Sequence, residues 1–121
     1  MARKDFIDQA MALGYKIQEP DGPKVIFEYV VPVGKNIGKR IFLGFEVGDD
    51  FPMNCPSGPH IKAIDSGWKE HPQNVSDSPF NNLKDLGSGW RYWSRPFKEW
   101  NRSERNFKTY LAHIKNILMT V

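Results

Sequence analysis

The sequence predicts an α+β domain in which helices pack on one face of an antiparallel sheet. Three observations predict it. A short helical stripe opens the chain, alternating apolar runs follow within residues 25–47, and a strongly periodic apolar stripe closes it.

In residues 3–13, Phe6, Ile7, Ala10 and Leu13 share one helical stripe, and Gly14 stands where a C-terminal stop belongs. Residues 15–18 form a candidate first strand, ended by the Pro/Gly turn cluster at 19–23. Val25, Phe27, Tyr29 and Val31 then alternate with Ile26, Glu28 and Val30. Ile41, Leu43, Phe45 and Val47 repeat that alternation against Phe42, Gly44 and Glu46. The intervening loop contains Gly34 and Gly38, so the pair reads as an antiparallel hairpin within a meander. Phe51-Pro52-Met53-Asn54-Cys55-Pro56 forces a stiff corner, because proline fixes φ and offers no ladder donor. Ser57-Gly58-Pro59 bends the chain again, and residues 60–64 read as a short strand with Ile61 facing away from His60, Lys62 and Ile64. Residues 65–89 are rich in Asn, Asp, Ser, Gly and Pro and have no period, a length of loop that marks function or mobility. Residues 90–100 are aromatic and basic, with Pro96 interrupting any regular element. Finally Phe107, Tyr110, Leu111, Ile114, Ile117 and Leu118 form one helical stripe, with Ser103 as the N-cap. The expectation is therefore two helices on a four-stranded meander, as a single domain over residues 1–121.

A chain of 121 residues with eight Phe, four Trp and four Tyr can bury one core. Its net charge of +3 is too mild to imply nucleic acid by itself. No apolar run reaches membrane-spanning length, and no apolar signal segment follows residues 1–4, so no membrane association is expected. A single cysteine excludes an internal disulfide and fits a reducing, cytoplasmic setting.

Four motifs, in order, resemble the ubiquitin-conjugating-enzyme superfamily, which includes the RWD and conjugating-variant domains. Phe51-Pro52 with Pro56 is similar to the family's aromatic-proline turn after the third strand. Residues 38–47 are similar to the glycine-then-aromatic lead into that strand. His71-Pro72-Gln73-Asn74 resembles the family's His-Pro-Asn with one residue inserted, and Trp93-Ser94-Arg95-Pro96 resembles its Trp-Ser-Pro. The run Ser57-Gly58-Pro59-His60-Ile61 and the block 90–100 look closest to bacterial members, which are encoded beside activating enzymes and ubiquitin-like proteins. The resemblance spans residues 3–118 and implies a UBC-like fold, acyl transfer from a thioester, no cofactor, and a ubiquitin-like protein and its activating enzyme as partners. One departure bears on the chemistry. The nucleophilic cysteine expected just beyond His-Pro-Asn is missing, that neighbourhood reading Asn81-Asn82-Leu83, and no cysteine follows Cys55.

Cys55 is then the first candidate nucleophile, since His60 and Lys62 lie near it in sequence and a thiolate needs such neighbours. The competing reading is a small apolar group inside a structural turn. Ser76 and Ser78 fall near the expected nucleophile position and would form an oxyester if a base activated them; otherwise they cap the local backbone. Asn74, Asn81 and Asn82 are candidate oxyanion donors or ordinary turn residues. By resemblance His71 ties the loop to a strand, while His60 is a base or an exposed strand residue. Cys55, His60 and His71 lack the spacing of paired zinc ligands, so no metal is expected. The loop from Gly34 to Gly38 lacks the Lys-Ser/Thr ending of a phosphate loop. Trp90, Arg91, Trp93, Arg95 and Trp100 read as core plus a protein-binding surface. The rival use of this segment, with Tyr92, Arg102 and Arg105, is stacking and phosphate contact in a single-strand nucleic-acid domain. Asp85, Glu99 and Glu104 dilute its charge. The expected function is a component of a bacterial ubiquitin-like conjugation pathway that accepts or binds the ubiquitin-like protein. The alternative is a non-catalytic, RWD-like interaction module.

Overall fold

The computed structural model describes residues 2–20, 22–83 and 88–121. Asp21 of the predicted turn cluster, and residues 84–87 of the predicted loop with Asp85 among them, lie outside the described residues. In chain order the elements are α1 (Arg3–Ala12), β1 (Lys24–Val30), β2 (Arg40–Glu46), β3 (His60–Ala63), β4 (Val75–Asp77), β5 (Trp90–Trp93) and α2 (Phe107–Met119). Short 3-10 helices lie at Pro79–Asn82 and Trp100–Arg102. The class is α+β, with two helices and one antiparallel sheet in the order β1-β2-β3-β5-β4.

The predicted four-stranded meander is corrected to five strands. Residues 15–18 make only the isolated bridge of Gln18 to Ile26 rather than a strand. Two strands come instead from the segments expected to be loop and aromatic block: β4 inside residues 65–89, and β5 at the start of residues 90–100. β5 inserts between β3 and β4, so the chain first runs to the sheet edge and then returns. Gly14 does close α1, at a φ of +95° that glycine adopts without a Cβ clash. Leu13, expected on the buried stripe, is 53% exposed because it lies past the last helical turn.

The alternation in β1 and β2 places Val25, Phe27, Tyr29, Ile41, Leu43 and Phe45 under the helices, where all are buried. Phe6 from α1 meets Phe45, Phe51 and Phe107 edge-on, at centroid separations of 6.1, 5.4 and 5.0 Å. Such T-shaped contacts add to area burial because the positive ring edge meets a negative face. Gln9 Oε1 accepts the Phe107 N–H at 2.7 Å and joins the two helices by a polar contact as well. The Phe51–Pro52 peptide bond is cis, and the Pro52 carbonyl accepts the Trp100 indole N–H at 3.0 Å. A second, smaller cluster of Ile26, Phe80 and Trp90, with Phe42 and Leu83 against it, is separate from the helix-side core. Among the described residues no helix is long and apolar enough to cross a membrane.

Candidate functional site

Residues opposite one another across antiparallel strands share a sheet face. The row Ile26, Gly44, His60, Tyr92 and Ser76 therefore lies on the helix-free face. Cys55 packs against the helix-side core. The sheet thus separates the cysteine from both serines, and the expected nucleophile candidates do not converge.

Cys55 is partly buried and burial pushes its thiol up to about 12, so it is protonated at neutral pH. His60, its expected activating base, is instead buried on the other face. It stacks on Phe80 with centroids 4.2 Å apart and lies 4.6 Å from the Tyr92 ring. The reading of His60 as an exposed strand residue is corrected with it. The cause is a cap that arrives from distant sequence.

That cap is the 3-10 helix Pro79–Asn82. Ser78 is its N-cap: the Phe80 N–H donates to Ser78 Oγ at 3.0 Å, and the same oxygen lies 2.7 Å from His60 Nδ1. Ser78 is buried, whereas Ser76 is exposed on β4. Burial, then the charge of Lys24, lowers His60 to about 4, which makes it a weak base toward the Ser78 hydroxyl. The Asn81 side chain is held against the backbone of β5 rather than turned to a nucleophile. It donates to the Trp90 carbonyl at 3.1 Å and accepts the Trp90 N–H at 2.8 Å.

The His-Pro segment forms a separate tie. His71 Nδ1 accepts the Gln73 N–H at 3.1 Å and lies 2.7 Å from Arg95 Nη2. The Gln73 carbonyl also lies 3.2 Å from that ring nitrogen. Arg95 also donates to the carbonyls of Gln73, Asn74 and Ser94, so it fastens residues 71–74 beside β5. Asn74 adopts φ +54°, its carbonyl accepts the Ser94 N–H at 3.0 Å, and its side chain is exposed. Neither His71 nor Asn74 is brought to Cys55 or Ser78 by any of these contacts.

Of the proposed binding residues, Trp90, Trp93 and Trp100 are core, with 0%, 0% and 3% exposure. Buried indoles cannot stack on bases, and they are no surface anchors either. Arg91 and Arg95 stay partly exposed, Arg91 paired with Asp77 across β5 and β4. Among the described residues no three His, Cys, Asp or Glu side chains gather as metal ligands. Cys55 and His60 lie on opposite faces of the sheet.

Sequence reasoning missed two organising residues. Asn36, fully buried, donates to the Lys69 carbonyl at 2.8 Å and accepts the Lys69 N–H at 2.7 Å, clamping the long connection to the β1–β2 loop. Phe80 was missed as well, although Ser78-Pro79 directly before it is a turn-starting pair that marks a capped segment. A 300 Å³ groove between the end of α1 and the start of α2 is lined by Gln9, Ala12, Leu13, Asn106, Phe107 and Lys108. None of the expected site residues lines it. Comparison with protein-family models, with curated proteins and with solved structures returned no match.

Proposed function

We propose that this chain is a conjugating-enzyme-like component of a bacterial ubiquitin-like pathway that binds the ubiquitin-like protein or its activating enzyme without carrying the acyl group. One observation carries the non-covalent reading: the only thiol is held protonated by burial, on the sheet face away from the histidine that was to activate it. An acyl carrier needs an exposed, activated nucleophile. Of the two fallback serines, Ser78 is buried and Ser76 is exposed on β4, and the nearby Asn81 side chain is engaged with the Trp90 backbone.

Pathway membership draws support from motif order and from how the motifs are used. The helix α1, the β1–β2 pair, the proline corner, β3, the His-Pro tie and α2 follow in the order of the motifs, with the corner after the second strand rather than the third. The groove between α1 and α2, lined in part by the exposed Leu13, offers apolar surface for a protein contact. Mixing with the cognate activating enzyme, ATP and the ubiquitin-like protein is expected to give a complex on size exclusion and no covalent adduct on a denaturing gel. A reductant-labile adduct would restore Cys55 as nucleophile, and a reductant-stable, hydroxylamine-labile one would assign a serine. Absence of any complex would remove the pathway reading.

A further inference from the structure

The sheet face away from the helices is covered, among the described residues, by one short segment. Phe80 lies on Gly44, where an added Cβ would clash with the edge of the ring. It also stacks on His60 and packs with Ile26 and Trp90. Ser78 holds the start of the segment through the Phe80 N–H and His60 Nδ1, and Asn81 holds its end on the Trp90 backbone.

One feature makes this attachment conditional. His60 is 4% exposed inside an aromatic sandwich, a setting that tolerates a neutral imidazole and penalises a charged one.

We propose that residues 78–83 are a detachable cap on the helix-free face, latched by contact with neutral His60, and that protonating His60 lifts the cap while the helix-side core stays folded.

The groups facing His60 favour this response. From β1, the Lys24 ammonium lies 5.8 Å from the Phe80 centroid and opposes a proton on the imidazole; Glu46 of β2 stands opposite Lys24 in register. From β5 comes the Tyr92 ring, and Lys62 lies further along the same face of β3. The cap itself, Ser78 to Leu83, brings no titratable side chain. Burial and Lys24 take His60 from 6.5 to about 4 in the closed form, whereas an uncovered histidine keeps its ordinary value. The open form therefore binds the proton more tightly. Closure is fully favoured above pH 6.5 and is lost progressively as pH falls toward 4, the opening constant rising about tenfold per pH unit. The cap and its neighbours form a cluster separate from the aromatic core, so opening need not disturb the helices.

Hydrogen exchange of the whole chain, corrected for the intrinsic pH dependence of exchange, tests this. Protection of the Phe80, Asn81 and Leu83 amides is expected to fall about tenfold per pH unit below 6.5 while α2 keeps its protection. His60→Gln removes that dependence, and Gly44→Ala, which displaces the Phe80 ring, exposes the same amides at neutral pH with α2 still protected. The proposal is overturned if cap and α2 lose protection together, if acid leaves the cap protected, or if His60→Gln keeps the acid response. It is equally overturned if Gly44→Ala leaves the cap closed.

Discussion

Cys55 follows the Phe51–Pro52 corner and rests, partly buried, against the aromatic core, where burial alone raises its thiol to about 12. At pH 8 the folded chain is therefore expected to react with iodoacetamide on the order of a hundredfold more slowly than the urea-unfolded chain. A mass-spectrometric time course reads this directly, and equal rates in the two states would mean that an activating neighbour acts on the sulfur. The residue type and turn position were legible in sequence; the burial was not, because it depends on Tyr110 and its neighbours on α2 closing over the corner. Gly44 was legible in a different sense. A glycine inside an alternating strand signals a close approach by another group. The approaching side chain, Phe80, lies too far along the chain for any local pattern to name it.

At the level of elements, α2 was the easiest to read, since a stripe at helical spacing needs no tertiary information. Its start lies one turn beyond Ser103. Ser103 does not cap the helix: its hydroxyl donates to the Trp100 carbonyl at 2.7 Å and accepts the Arg105 N–H at 3.1 Å. The chain then passes through Arg105 at φ +54° before Asn106, whose Oδ1 accepts the Thr109 N–H at 2.8 Å. Asn106→Ala is expected to lower stability by about 1 kcal/mol in urea unfolding, and Ser103→Ala by less. The reverse ranking would return the cap to Ser103. β4 was illegible for a plainer reason. With three residues, of which only Val75 is apolar, it carries no alternation to detect, and pairing with β5 alone makes it a strand.

For the molecule as a whole, the α+β class and the helix-side core followed from local periodicity, while the strand order did not. Inserting β5 between β3 and β4 depends on long-range pairing of His60 with Tyr92 and of Ser76 with Tyr92. The candidate site fared likewise. The His71 segment was recognisable as a tie, yet which faces of the sheet its neighbours would occupy depended on that same strand order. One further consequence comes from the contact between Phe6 and Phe107, which joins the first helix to the last. During translation the sheet's apolar side must wait without its α2 cover while that helix is still inside the ribosomal exit tunnel. Closure is then a late, single event, and stalled nascent chains should be cut by protease throughout until Phe107–Met119 has emerged. Early resistance across residues 24–63 would show that the strands consolidate without waiting for it.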